Sequence, residues 1–464
     1  MVDLQYLYPE LVLFGFALIS LIWGVLSSNK SLIASLAFTG LICALLLLPS
    51  TFDASTSAFS GLLVGDGFSA FFRALILLAT ALIIMLSMAD LDILDEDKGE
   101  YYFFLLSLAV SLMLAVSSRN LLMIYVSVEA VSVLSYILVA YFKRDVFSSE
   151  AGIKYFLFGA LSTGVMLYGI SLLYGIFGNL DLLSISAAVA KASVVSPVFL
   201  IAIVFVLGGM AFKCSLVPFH MAAPDAYQGA PTPVSAFLSV GPKAMGFALL
   251  IRFLFTGDSP LIVQWSCLAQ ALAMITMTVG NMIALKQTNV KRMLAYSSIA
   301  HAGFMLIALA VGTSLGIKAI LFYLFVYVFM NIGAFGSVIY TNREEISQYA
   351  GLSRKNPYAA LMMTISLLSL AGLPPLSGFM AKFVVIAAAV QSKFYALAIV
   401  AVLNSVLALF YYLKIIKMMY LSKEDDASPL NISSVLTLVL TLTLVANLFL
   451  GIWPHGAIQW ITLP

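Results

Sequence analysis

Charge is what this chain has least of. Asp, Glu, Lys and Arg make up 9% of its 464 residues, against about 25% in an ordinary soluble domain. No polar stretch is long enough to fold as a soluble domain of its own. Cysteine is nearly as scarce. Cys43, Cys214 and Cys267 fall in or beside apolar segments, and no Cys-x-x-Cys pair exists, which argues against iron–sulfur ligation and structural zinc. His220, His301 and His455 are the only histidines, too few and too scattered for a haem or a metal cluster. There is no Walker-type phosphate loop and no G-x-G-x-x-G after a strand. The expectation is a chain that binds no redox cofactor, no metal and no nucleotide. A net charge of +2 leaves no basic face for nucleic acid.

Apolar surface takes the place of charge. Hydrophobic residues reach 62% and the mean hydropathy is +1.08. Runs of about 20 apolar residues recur down the chain, the length that crosses a bilayer as a helix. The fold class is therefore an all-α polytopic membrane protein embedded in the lipid bilayer. Fourteen spans are expected, over 8–26, 31–49, 67–88, 101–117, 120–142, 153–177, 196–219, 231–255, 261–285, 291–312, 317–340, 358–391, 394–420 and 431–453. The first apolar run, from near Leu11 to about Val25, has acidic Asp3 and Glu10 ahead of it and no basic flank. It reads as a spanning helix rather than a cleavable signal. Short connections make 1–464 a single integral membrane domain. It comprises three N-terminal helices in 1–100, five helices in 101–256, five in 261–421 and a last helix at 431–453.

Lys and Arg are shared unevenly between the two sides. Loops after odd-numbered spans carry eleven, and loops after even-numbered spans carry four. The positive-inside rule places the first group in the cytoplasm and both termini on the outer side. The acidic stretch 90–100, DLDILDEDKGE, reads as a solvated loop or a docking site for a partner.

Two spans are interrupted. The seventh runs through GGMAFKCSLVPFHMAAPDAYQGAPTPV (208–234), and the twelfth through SLAGLPPLSGFMAKF (369–383). Proline removes a backbone donor and breaks the helical ladder, and broken backbone at membrane depth is tolerated only inside protein or beside a wet cavity. Each break has a lysine near it: Lys213 precedes Pro218 by five residues, and Lys382 follows Gly378 by four. The breaks lie five spans apart. A five-helix repeat crosses the membrane an odd number of times, so its second copy is inverted. Spans 4–8 and 9–13 are the expected halves, and broken helices in matching positions point to an ion or substrate site.

Four charges lie deep in apolar spans: Glu129, Lys213, Lys243 and Lys382. Each costs about 2.5–3.5 kcal/mol near the bilayer centre even on the lenient insertion scale. Glu129 shares a helical face with Ser132 and Tyr136. It is either a helix-packing carboxylate or a partner for a nearby lysine. An adjacent carboxylate favours an ammonium and burial disfavours it, so a Lys–Glu pair of changing separation can load and release a proton. Lys213 is the first candidate for that lysine; the alternative, a snorkelling lysine, would need to sit at a span end. Lys243 follows Pro242, and Lys382 suits the outlet of such a chain. Neutral His220 and His301 can both donate and accept, and so can bridge lysines or serve structure alone. Lys154, expected at the start of its span, anchors at the interface or extends the relay. Arg73 lies seven residues into its span, and Asp225 is read as capping or orienting local backbone.

The phrases SVEAVSVLSYIL (127–138), EAGIKYFLFGALSTGVMLYGISLLYG (150–175), FKCSLVPFHMAAPDAYQGAPTPVSAFLS (212–239), NVKRMLAYSSIAHAGFML (289–306), MNIGAFG (330–336), AGLPPLSGFMAKF (371–383) and NSVLALFYYLKIIKMMYL (404–421) complete the picture. Over nearly the whole chain they resemble the antiporter-like membrane subunits of respiratory complex I, the proton-pumping NADH:quinone oxidoreductase. EAGIKYFLFGA, NSVLALFYYLK and a lysine at 382 look like the subunit N (subunit 2) branch. Ala222 departs from the aromatic usual in HMxAPD. The resemblance implies fourteen helices in two inverted five-helix repeats, each with a broken helix. It implies that Glu129 and Lys213 form a proton-loading pair, that Lys243 connects, and that Lys382 ends the half-channel open to the outside. His220 and His301 would then belong to a central hydrophilic axis. The chain would be a non-redox subunit of a bacterial inner-membrane translocase, packed among other membrane-arm subunits, including antiporter-like neighbours. NADH and quinone would be handled by other subunits. Two alternatives stay open: a subunit of a multi-subunit sodium/proton antiporter, and a structural membrane subunit without transport.

Overall fold

The computed structural model describes residues 2–27, 30–51, 57–90, 98–191, 196–257, 261–422, 430 and 433–460. Its spanning helices are α1 (Tyr8–Leu26), α2 (Lys30–Leu47), α3 (Gly67–Ser87), α4 (Lys98–Ser117), α5 (Leu121–Val139), α6 (Val146–Phe177), α7a (Pro197–Cys214), α8 (Thr232–Phe255), α9 (Leu261–Ala284), α10 (Val290–Val311), α11 (Ser314–Thr341), α13 (Tyr395–Leu421) and α14 (Ser434–Ile452). These thirteen are each long and apolar enough to cross a membrane. A fourteenth crossing is assembled from two 15-residue helices, α12a (Pro357–Ala371) and α12b (Ser377–Gln391). A short α7b (Ala222–Gly229) follows α7a. The acidic segment 91–97 and Lys423 lie outside the described residues, as does the side chain of Lys30.

Local chemistry fixes the helix ends. Asp66, Asn120, Asp145, Ser196, Asn289, Thr313 and Asn356 each accept a backbone N–H at the start of a span, which satisfies a donor that the helix itself leaves orphaned. Gly178, Gly312 and Gly372 close α6, α10 and α12a in the left-handed conformation.

Burial separates centre from rim. The most apolar 18-residue window of α8 is wholly buried and that of α10 is 94% buried, whereas α1 reaches 28% and α9 and α14 33%. The helices of the inner pair are thus enclosed by protein, and the others turn a face outward. The two halves follow the expected five-helix plan. Both pieces of α7 lean on α6 and are followed by α8; both pieces of α12 lean on α11 and are followed by α13. Each break holds a cis proline bond, at Val217–Pro218 and Pro374–Pro375.

Some boundaries moved. The first half of span 7 ends at Cys214 rather than 219, because Ser215 takes a left-handed conformation (φ 57°) ahead of Pro218. Span 6 begins at Val146 rather than 153, capped by Asp145, so Lys154 sits in its third turn rather than at its start. Span 12 is two helices, neither of which crosses alone. Glu10 lies in the first turn of α1, within the expected span 8–26, and is buried against Arg73, which donates to it at 2.5 Å.

The loops after odd-numbered spans meet on one side. Residues from the α5–α6 loop, the end of α7b, the α9–α10 loop and the α11–α12 loop line a single cavity of about 550 Å³. The opposite side is tied by ion pairs: Arg252 to Asp66 at 2.8 Å, and Arg119 to Asp181 at 2.9 Å. Burial alone would raise the Asp66 carboxyl, but the Arg252 guanidinium and the Ser69 amide outweigh it and hold it below the ordinary carboxylate range.

Candidate functional site

Three lysines are buried along the centre of the bundle. Among the described residues none of them forms an ion pair. Lys213, in the last turn of α7a, donates to Ser132 Oγ on α5 at 2.6 Å. Ser132 in turn donates to the Val128 carbonyl. Glu129 lies one turn before Ser132 on α5. It is half-buried and accepts from Tyr125 at 3.1 Å. The carboxylate and the ammonium are therefore neighbours held apart, with a serine hydroxyl as the lysine's direct partner.

A cavity of about 20 Å³ beside Lys213 is lined by Tyr155, Ala226, Tyr227 and Pro242 among others, enough for about one water molecule. Pro242 adjoins Lys243 in α8, so this cavity reaches the second lysine's helix. Lys243 donates to the Ser298 carbonyl at 2.6 Å and to Ser298 Oγ at 2.9 Å. From there α10 carries the axis. Ser298, His301 and Phe304 are spaced three residues apart, which puts them on one helical face with a rise of about 4.5 Å per step. His301 pairs with the Tyr323 hydroxyl of α11 at 2.6 Å. The Phe304 ring lies 4.7 Å from the ammonium of Lys382, a cation–π distance.

Lys382 sits on α12b and reaches back across the break. It donates to the Leu370 and Ala371 carbonyls at 3.0 and 2.9 Å. These belong to the last turn of α12a, whose carbonyls lack helical partners and form the negative end of its dipole. Gly372 makes this possible: a Cβ there would stand 2.8 Å from Lys382 Cδ, and its φ is +87°.

The remaining candidates lie elsewhere. His220 is in the α7 break, where its Nδ1 approaches the Pro218 carbonyl at 3.3 Å; its contact is local backbone, not a lysine. Lys154 is at the wide cavity, 2.7 Å from Glu150 and 3.3 Å from Asp225. Among the described residues Asp225 makes no capping bond; it also takes Arg292 of α10 at 2.5 Å, so it joins α6, α7b and α10. Lys291, counted from sequence as a loop charge, is buried at the start of α10, where it holds the Ala230 carbonyl at 3.0 Å and Glu344 at 2.9 Å. Sequence reasoning missed Ser298, Tyr323 and Tyr327, whose ring lies 5.2 Å from that of His301. The one available signal was the i, i+3 spacing of Ser298, His301 and Phe304. No group of residues able to hold a metal is found among the described residues.

Two inverted halves, a broken helix in each and a lysine line through the centre define a polytopic membrane protein of the antiporter-like class. A family model for the transmembrane domain of NADH:quinone oxidoreductase and Mrp antiporters matches residues 118–408, and the chain belongs to that family. It is 39% identical to NADH-quinone oxidoreductase subunit N of Trichlorobacter lovleyi, over 99% of this chain and 96% of that one. It is 43% identical to NAD(P)H-quinone oxidoreductase subunit 2 of Crocosphaera subtropica, over 84% and 77%. Among solved structures, a chain of respiratory complex I from Thermus thermophilus matches with a TM-score of 0.82 at 31% identity, over 97% of this chain and 98% of that one. A chain of the Mrp complex from Dietzia shares the fold, with a TM-score of 0.83 at 22% identity over 98% and 96%.

Proposed function

We propose that this chain is a proton-translocating membrane-arm subunit of an NADH:quinone oxidoreductase of the complex I type. The observation that carries the reading is the Ser298–His301–Phe304 ladder of α10, which joins the lysine of one half to the lysine of the other. The wide cavity is the entrance, on the cytoplasmic side that the positive-inside rule assigns. Its carboxylates and Lys154 collect protons. Tyr155 and Tyr227 line the small cavity, and their sequence neighbours Lys154 and Gln228 line the wide one. Lys213 and Glu129 load the proton, Lys243 and His301 pass it on, and Lys382 releases it outward. His220 keeps a supporting role at the break.

The three ammonium groups suit this work because, among the described residues, no carboxylate pairs with them and their hydrogen-bond acceptors are neutral oxygens. Each lysine has three donors and, among the described residues, no more than two hydrogen-bond acceptors, so a donor remains for water or an incoming partner. Moving one charge against 100 mV requires about 2.3 kcal/mol. That energy comes from quinone reduction in other subunits, which also handle NADH; this chain supplies the path. It sits in a bacterial inner membrane with both termini outside, beside other membrane-arm subunits.

The test is Lys213→Ala in the assembled complex, reconstituted in proteoliposomes. We expect proton pumping to fall at least about tenfold, the effect of roughly 1.4 kcal/mol. Unchanged pumping by an assembled complex would refute the reading. Copurification in mild detergent distinguishes the antiporter alternative: NADH-oxidising and iron–sulfur subunits should accompany this chain, and their absence favours an antiporter.

A further inference from the structure

We infer that Asn447 of α14 is a positioning residue for Lys382, acting by stapling the two halves of α12 together across their break. Asn447 is fully buried on a helix that otherwise turns much of its surface outward. Its Oδ1 accepts from Ser369 Oγ of α12a at 2.9 Å and from Ser377 Oγ of α12b at 2.7 Å. The two serine hydroxyls lie 3.2 Å apart, and Ser369 Oγ also accepts the Gly378 amide at 3.2 Å. Asn447 Nδ2 donates to the Thr443 carbonyl at 2.8 Å, which fixes the orientation of the amide. One oxygen thus bonds to both sides of an interrupted helix.

A second observation places α14 hard against the same break. Gly451 is one turn beyond Asn447, and a Cβ there would collide with backbone atoms of Pro375, Leu376 and Ser377. Asn447 and Gly451 therefore share one face, and that face is fitted to the break. What the staple sets is the distance between α12b, which carries Lys382, and the Leu370 and Ala371 carbonyls, which are its hydrogen-bond acceptors. If α12b shifts by an ångström, those bonds leave hydrogen-bonding range. This inference rests on the proposed role of Lys382 in proton release.

The experiment compares Asn447→Leu, Asn447→Asp and Lys382→Ala in the assembled complex in proteoliposomes, with pumping rate followed against pH. Among the described residues, the titratable group that faces Lys382 from a packed helix is His301 on α10, which is bonded to Tyr323 of α11; both are left intact. Asn447→Leu should lower pumping about fivefold to tenfold and move the pH optimum by at least about half a unit. Asn447→Asp keeps the acceptor oxygen and should restore most of the rate. A lower rate with an unmoved pH profile, or no effect at all, overturns the positioning role. If Asn447→Leu does not assemble, Ser377→Ala removes one donor of the staple and should shift the profile in the same direction by less. Normal pumping by Lys382→Ala would end the proposed role of that lysine, and this inference with it. A pumping defect in Lys382→Ala without one in Asn447→Leu would end this inference alone.

Discussion

The two broken helices hold their lysines in opposite ways. In α7 the lysine lies before the break and turns away from its own helix, toward a single hydroxyl on α5. In α12 the lysine lies after the break and turns back onto two carbonyls of its own first half. The backbone is tied differently as well. The Val217 amide in the first break donates to Thr276 of α9 at 3.2 Å, so the second half of the molecule steadies the first. The second break is tied by α14, which lies outside both halves. A lone hydroxyl can rotate and is easily exchanged for water. Two carbonyls at a helix C-terminus are fixed and favour a cation. The first arrangement suits a lysine that takes up protons repeatedly, and the second suits one that holds a proton until it is displaced.

Substitutions can break this contrast from either end. The largest effect is expected for Lys382→Met, which removes the cation and leaves the Leu370 and Ala371 carbonyls buried without their partner. Pumping in proteoliposomes should fall more than about tenfold, and the assembled complex should lose about 1–3 kcal/mol of stability. Gly372→Ala should come next. It places a Cβ against Lys382 and asks a non-glycine residue to adopt a left-handed φ, at about 1–2 kcal/mol. A lower melting temperature together with slowed pumping is the expected result; an unchanged melting temperature contradicts the geometry. Ser132→Ala leaves Lys213 without its protein acceptor but beside a cavity that admits water, so the loss should be milder, about threefold to fivefold in rate, with normal assembly. A loss as deep as that of Lys382→Met would erase the distinction between the breaks.

The smallest effect is expected away from both breaks. Asp66 is held below the ordinary carboxylate range, so its stabilising pair with Arg252 is present above about pH 4, the unfolded carboxylate value, and lost as pH falls through the lower folded value. Because Asp66 is partly exposed, Asp66→Asn should cost no more than about 1 kcal/mol. Thermal melts of the variant and the parent should draw together as pH falls from about 4 through the lower folded value, with pumping at neutral pH unchanged.

Much of this was legible in the sequence because charge is so costly in a bilayer. Lys213, Lys243 and Lys382 stood out against apolar runs, and GLPPLSG announced the second break. The partners were not legible. Ser132, Ser298 and Asn447 are polar residues of a kind that apolar helices also carry to satisfy their own backbone, and only packing reveals which ones face a lysine. The expected Lys213–Glu129 contact is a near approach with Ser132 on the lysine, a difference of one helical turn that spacing cannot resolve. Arg73 and Glu10 were hidden because they stabilise each other across sequence-distant helices. Lys291 was hidden because a loop charge and a buried helix-start charge read alike.

The one-sided cavity has an electrical consequence. A space of about 550 Å³ lined with charged side chains conducts far better than packed helix, so its floor sits near the potential of the solution it opens to. The membrane voltage then falls over the closed remainder rather than over the full bilayer thickness. On the proposed path, that remainder runs from the small cavity beside Lys213 to Lys382, and its middle is the α10 ladder. Each step of about 4.5 Å along Ser298, His301 and Phe304 therefore spans a larger fraction of the voltage than the same distance would in an evenly sealed protein. On the proposed path, this short stretch of α10 is where the stored gradient opposes a moving proton most strongly.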